Sequence, residues 1–130
     1  MPLMRLDVPE SLPQQSRRVA VDVIYDALRA ELNVPEDDRF AVVCAHDATG
    51  LQMNRTYLGI DRSENALIIQ VTLNAGRDTA LKRAFYAAVA AGLRGRIGIR
   101  PEDVFISLVE VSPENWSFGN GLAQYALADA

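Results

Sequence analysis

The feature that most constrains this chain is a strand-helix-strand pattern that occurs twice. Leu3 to Val8 alternates apolar and polar residues, as a half-buried strand does. Ser11-Leu12-Pro13-Gln14 then offers an N-cap, a proline in the first turn and a glutamine three residues after the cap. The helix this predicts runs to about Leu32, with Val19, Val23, Ile24, Ala27, Leu28 and Leu32 on one face and Asp22, Asp26 and Arg29 off it. Asn33-Val34-Pro35 ends it, because a proline disfavours helical geometry in the residue before it. Phe40 to Ala45 is apolar and β-branched and reads as a buried strand. The second round begins at Ala66 to Leu73, the strongest strand in the sequence. A turn at Asn74-Ala75-Gly76-Arg77-Asp78 leads to a helix from about Thr79 to Leu93, with Leu81, Phe85, Ala88 and Val89 at core spacing and Gly95 and Gly98 closing it. Val104 to Val111 is the matching strand. Pro35-Glu36-Asp37 precedes one returning strand and Pro101-Glu102-Asp103 the other.

Two such units predict an α/β fold: two β-α-β repeats related by a pseudo-twofold axis, forming a four-stranded sheet with both helices on one face. The other face is then left bare and apolar, which predicts an oligomer. The expected organisation is a single domain over 1–130: a first repeat at about 2–46, a linker at 47–65, a second repeat at about 66–111 and a C-terminal turn segment at 112–130. A short strand is expected inside the linker at Met53 to Leu58.

Composition excludes several functions. The net charge of −4 repels a phosphate backbone, so nucleic acid is not an expected partner. Lys82, Arg83, Arg94, Arg96 and Arg100 read as a solvated helix face with a basic C-terminal end, which suits the helix dipole. No apolar run is long enough to span a membrane, and the first residues do not read as a signal peptide. Cys44, the single cysteine, cannot form an internal disulfide and reads as a buried, inert thiol, so a cytoplasmic location is expected. His46 is the only histidine, and no Cys/His cluster accompanies it, so no metal site is expected. It reads as a structural residue at a strand end.

Pro2 is the unusual candidate. Methionine before a small residue such as proline is commonly removed, which leaves a secondary amine at the start of the chain. A free α-amino group has an ordinary pKa of about 7.7–8.0. An apolar pocket lowers that value and a nearby carboxylate raises it. The neutral amine is a base or a nucleophile toward a carbonyl, and the protonated amine is an acid. The strand pattern starts at once, at Leu3, which ties this nitrogen into the sheet.

Met1-Pro2-Leu3, the doubled β-α-β pattern and the length together resemble the tautomerase superfamily. The segment from Trp116 to Tyr125 (Trp-Ser-Phe-Gly-Asn-Gly-Leu-Ala-Gln-Tyr) is similar to the C-terminal segment of malonate semialdehyde decarboxylases and their close relatives. Pro35 to Phe40 and Val71 to Arg77 resemble the same group. The resemblance implies a homotrimer with active sites near subunit boundaries and no metal or organic cofactor. It implies that Pro2 is the catalytic amine and that Asp38 orients a water or tunes the proline. It also implies that Arg77 holds a substrate carboxylate, a group that a guanidinium binds bidentately. Trp116, Phe118 and Tyr125 would wall the pocket. Some members carry two close arginines after this strand, whereas here Arg77 stands alone in the turn, with Asn74 and Gly76 nearby.

The function this resemblance implies is decarboxylation of a small β-keto acid, malonate semialdehyde or a near relative. Two alternatives stay open: a keto-enol tautomerase with neutral Pro2 as base, and a non-catalytic trimer that binds a small acid or a protein partner.

Overall fold

The computed structural model describes residues 2–126. Met1, whose removal the sequence predicts, and residues 127–130, the end of the expected C-terminal segment, lie outside the described residues. The elements follow in the order β1 (Leu3–Pro9), α1 (Gln14–Leu32), β2 (Phe40–His46), β3 (Leu67–Asn74), α2 (Thr79–Ile97) and β4 (Val104–Val111). The sheet order is β2-β1-β3-β4. Each repeat pairs its own two strands in parallel, and the central β1–β3 pair is antiparallel, as a twofold axis normal to the sheet requires. No helix among the described residues is long and apolar enough to cross a membrane.

Alternation along the central strands decides which face the helices cover. Met4, Leu6 and Val8 of β1 and Leu67, Ile69, Val71 and Leu73 of β3 are buried beneath the helices. From above they meet Ile24, Leu28 and Leu32 of α1 and Phe85, Val89 and Leu93 of α2. Burying one such side chain stabilises the fold by about 1.5–3 kcal/mol. The two helices also pack on each other closely: a Cβ added at Gly92 would lie 2.6 Å from Val23 Cγ1.

Several local expectations are corrected. Ser11 does not cap α1: the chain turns through a Leu12 N–H bond to Pro9 O (3.0 Å), and Pro13 takes the cap position without a side-chain hydrogen bond. Asn33 does end α1, in the left-handed conformation at φ 57°. Helix α2 passes through Gly95 and ends at Gly98 (φ 70°), whose N–H bonds back to Arg94 O and Leu93 O. A helical glycine costs only about 1 kcal/mol relative to alanine, too little to stop a packed helix. Leu81, expected in the core, is exposed in the first turn of α2.

The linker holds no strand at 53–58; Tyr57–Gly59 form a 3-10 turn instead. Buried Arg62 donates to Asn54 O (3.3 Å) and Tyr57 O (3.1 Å), which supplies these carbonyls with a donor that a neighbouring strand would otherwise provide.

Strand β2 is not buried. It is an edge strand, with Phe40 49% and Val42 39% exposed. Cys44 is accordingly half-buried, with Arg5 Nη2 3.9 Å from its sulfur. The uncovered face is mixed and not uniformly apolar. Arg5, Asp7, Gln70 and Thr72 run down its centre, flanked by Phe40 and Val42 on one edge and Phe105 and Val109 on the other. The reason is already in β1, where Arg5 and Asp7 are the odd members of an alternating strand whose even members fill the core. His46 shares a 2.6 Å hydrogen bond with Asp7 on this face.

Candidate functional site

Pro2 is buried at the point where β1 enters the sheet. Its neighbour Leu3 pairs with Phe40, the first residue of β2, and with Thr72, near the end of β3. The proline therefore stands in the middle of one end of the sheet, between the loop that leads into β2 and the turn that leaves β3.

The loop into β2 carries Asp38, which is half-buried; neighbouring Asp37 is exposed and takes φ 65°. Helix α1 pins this loop. Tyr25 Oη donates to Pro35 O (3.1 Å) and accepts from the Asp38 N–H (3.3 Å). Arg39 lies over the Tyr25 ring and pairs with Asp22.

The turn after β3 carries Arg77, whose guanidinium is half-buried and bound to backbone. Nε and Nη2 donate to Leu32 O at 3.2 and 2.9 Å, and Nη1 donates to Asn74 O at 3.0 Å. Arg77 thus places its charge against the negative C-terminal end of α1. These bonds use three of the five guanidinium N–H groups. Gly76 is needed here for its backbone, at φ 135°, and not for close approach: nothing lies within 4 Å of where a Cβ would be. Lys82 Nζ meets Glu110 Oε1 at 2.7 Å beside this turn. The Glu110 carboxyl is held below the usual carboxylate range, chiefly by the Lys82 hydrogen bond and charge, and also by the Gly76 N–H and Arg77.

The segment after β4 brings the aromatic groups to the same end. Trp116 stacks on Phe118 at 5.3 Å between ring centroids, and Tyr125 meets Phe118 edge-on at 4.9 Å. Phe118 also reaches Phe40 of β2, at 6.4 Å. Gln124 holds this turn closed, accepting from Phe118 N–H (2.9 Å) and donating to Gly119 O (2.8 Å). Phe118 and Tyr125 remain exposed in the single chain.

Pro2, Asp38, Arg77, Trp116, Phe118 and Tyr125 therefore lie at one end of the sheet, supplied by four separate segments. This end of the sheet thus gathers the chain start, a loop carrying a carboxylate, a guanidinium and a cluster of aromatic rings. Sequence reasoning passed over three residues. Tyr25 is one, read only as part of a helix. Phe40 is another, read only as strand. Asn74 is the third: its Oδ1 accepts the Trp116 indole N–H at 2.7 Å. Asparagine is depleted in strands, and its place at the last position of a strong β-run was the available signal.

The sequence profile of a family described as "Tautomerase enzyme" matches residues 38–119. The chain belongs to the tautomerase family. Among curated relatives, the probable tautomerase YusQ of Bacillus subtilis (strain 168) is 39% identical over 101 residues, covering 78% of this chain and 80% of its own. Among solved structures, a malonate semialdehyde decarboxylase inhibited by 3-bromopropiolate is 38% identical, covers 95% of this chain and 94% of its own, and superposes with a TM-score of 0.88. A second malonate semialdehyde decarboxylase, solved in wild-type, mutant and inactivated forms to explain decarboxylase and hydratase activities, is 29% identical, with 95% coverage of each chain and a TM-score of 0.86. A fused 4-OT symmetric trimer, 19% identical with a TM-score of 0.77 and covering 97% of this chain and 99% of its own, shares the tautomerase fold. This tautomerase-family enzyme is thus similar, over nearly its whole length, to malonate semialdehyde decarboxylases.

Proposed function

We propose that this tautomerase-family enzyme decarboxylates a small β-keto acid, malonate semialdehyde or a near relative, with Pro2 as its catalytic amine and without a cofactor. The observation that carries this reading is the convergence of buried Pro2, the Asp38 loop, Arg77 and the Trp116–Phe118–Tyr125 wall at one end of the sheet. The likeness to malonate semialdehyde decarboxylases supports the choice of substrate class.

Removal of Met1 frees the Pro2 nitrogen. The Asp38 carboxylate favours its protonated form. The Pro2 ammonium then donates to the substrate carbonyl oxygen. The bond from the central carbon to the carboxylate carbon breaks, its electron pair enters the enol, and carbon dioxide leaves. The enol carbon afterwards takes a proton from water while the enol oxygen returns its proton to Pro2 by way of the hydroxide left, which gives the aldehyde and consumes one proton from solvent overall. The two N–H groups that Arg77 has left hold the substrate carboxylate and keep the breaking bond aligned with the carbonyl π system. Trp116, Phe118 and Tyr125 exclude water, which strengthens each of these electrostatic contacts.

The uncovered sheet face, with its apolar edges, supports a homotrimer in which a neighbouring subunit closes the exposed side of the site. A chain with one cysteine and no possible internal disulfide fits a cytoplasmic enzyme.

A second reading follows from the naming of YusQ as a probable tautomerase: proton transfer on a 2-keto or enol acid, with Pro2 neutral. Intact mass first checks that the chain begins at Pro2. A panel of β-keto and enol acids is then assayed for carbon dioxide release and for the loss of enol absorbance. Carbon dioxide release from β-keto acids is the expected result. Enol-keto conversion with no carbon dioxide release would replace the decarboxylase reading with the tautomerase one.

A further inference from the structure

We propose that Tyr25 is a positioning residue for the reaction: its hydroxyl, with the Asp22–Arg39 pair as a second tie, fixes the backbone at Asp38 and so presents that carboxylate in one arrangement. The inference rests on the reading of Asp38 and Pro2 above and adds to it the residues that hold the loop.

Tyr25 lies on α1 and is 7% exposed. A buried phenol hydroxyl needs hydrogen-bond partners, and this one finds both in the loop into β2. It donates to Pro35 O (3.1 Å) and accepts from the Asp38 N–H (3.3 Å). One oxygen therefore bridges the two ends of Pro35-Glu36-Asp37-Asp38. Between those ends Asp37 takes the left-handed conformation at φ 65°, which non-glycine residues keep where their surroundings hold it. The next residue is tied as well. The Arg39 guanidinium carbon lies 5.5 Å from the centre of the Tyr25 ring, and its Nη2 pairs with Asp22 of the same helix. Asp38 thus sits between two fastenings to α1, on a loop whose other residues are exposed.

The second repeat shows that helix packing does not call for this tyrosine. Ile24 and Leu28 of α1 correspond to Val89 and Leu93 of α2, all of them buried. Tyr25 stands eight residues before Asn33, the left-handed cap of α1, and Ala90 stands eight residues before Gly98, the left-handed cap of α2. In that repeat β4 starts directly after Pro101-Glu102-Asp103. The hydroxyl therefore accompanies the added Asp38-Arg39 and not the plan common to both repeats. A carboxylate held before the acid arrives loses less freedom on reaching the reactive geometry, which is what a positioning residue contributes to rate.

The test uses the full chain beginning at Pro2. It reads the Pro2 amine pKa by nitrogen NMR, and kcat and KM for malonate semialdehyde. Tyr25→Phe removes one oxygen and keeps the ring beside Arg39. It is expected to lower kcat by about fivefold to tenfold while KM changes by less than about twofold, and to lower the Pro2 pKa in the same direction as Asp38→Asn does. In the Asp38→Asn background it is expected to change neither, because its action runs through that carboxylate. A tyrosine that serves folding alone would lower the unfolding midpoint and leave kcat and the Pro2 pKa where they were. Asp22→Asn, at an exposed position, is expected to lower kcat by about threefold, and it replaces Tyr25→Phe as the test if that variant does not fold. The proposal is overturned if the variant tested keeps the parent's kcat and Pro2 pKa, if its effects persist in the Asp38→Asn background, or if Asp38→Asn itself changes neither quantity. Absence of carbon dioxide release, with a Pro2 pKa that still responds to Tyr25→Phe through Asp38, sinks only the decarboxylation. Carbon dioxide release that depends on Asp38 and not on Tyr25 sinks only the role of Tyr25.

Discussion

The same tripeptide enters both returning strands, and the two copies have different fates. In the second repeat, β4 starts directly after Pro101-Glu102-Asp103. Asp103 is 1% exposed and accepts from the Ser63 N–H (2.7 Å) and hydroxyl (2.6 Å). In the first repeat, Asp38 and Arg39 intervene between Pro35-Glu36-Asp37 and β2, and Asp37 is exposed in a left-handed turn. The strand starts differ in the same way. Leu3 pairs with Phe40 and Leu67 with Val104, so the counterpart of Pro2 is Ala66, which has no free nitrogen to offer. A cavity of about 480 Å³ opens at the Ala66 end, lined by Glu10, His46, Asp47 and Arg55 among others. The pseudo-twofold axis thus gives two similar ends: at one the motif is spent on holding the linker, and at the other two extra residues, Asp38 and Arg39, lengthen the loop into β2 at the end where Pro2 stands.

The contrast is most severely tested at the chain start. A preparation that retains Met1 converts the Pro2 nitrogen into an amide, and kcat/KM should fall by about a thousandfold or more while circular dichroism stays unchanged. Full activity in such a preparation would remove the distinction between Pro2 and Ala66. Next comes stability. Asp103→Ala leaves the half-buried Ser63 donors without their acceptor and should cost about 1–3 kcal/mol in urea unfolding, against less than about 0.5 kcal/mol for exposed Asp37→Ala. Equal losses would mean that the two tripeptides do the same work after all. Asp38→Asn should lower kcat/KM by about tenfold to a hundredfold and lower the Pro2 amine pKa, followed by nitrogen NMR, with little change in unfolding midpoint. The smallest effect is expected at Glu110. Its carboxyl is held below the ordinary value of about 4.3, so its contribution is complete above that pH and fades as pH falls through the lowered value. The Tm difference between the parent and Glu110→Gln should therefore be present at neutral pH and vanish in strong acid.

Most of the fold was legible because it follows from short-range pattern. Period-two alternation marked β1, the strong β-run from Ala66 to Leu73 marked β3, helical spacing marked the buried face of α1, and the repeated order supplied β4 and the parallel pairing within each unit. What was misread depended on neighbours in space. Phe40 to Ala45 has the composition of a central strand, and only the sheet order makes it an edge with Cys44 half-buried. Gly95 carries a stop signal that packing of α2 overrides, and the strand expected at 53–58 is absent because Arg62 satisfies the carbonyls of that loop.

The sequence by itself determined the doubled β-α-β plan, because hydrophobic period is a property of consecutive residues, and its resemblance to known sequences supplied the family and singled out six residues that the structure places at one end of the sheet. The tertiary structure alone decided how those residues are held. Arg77 is bound by its guanidinium to Leu32 O and Asn74 O, and Trp116 donates its indole N–H to the Asn74 side-chain oxygen. These contacts join residues up to 45 positions apart. A hydrogen bond of that span depends on where the sheet and helices set their ends, and no local pattern in the chain encodes it.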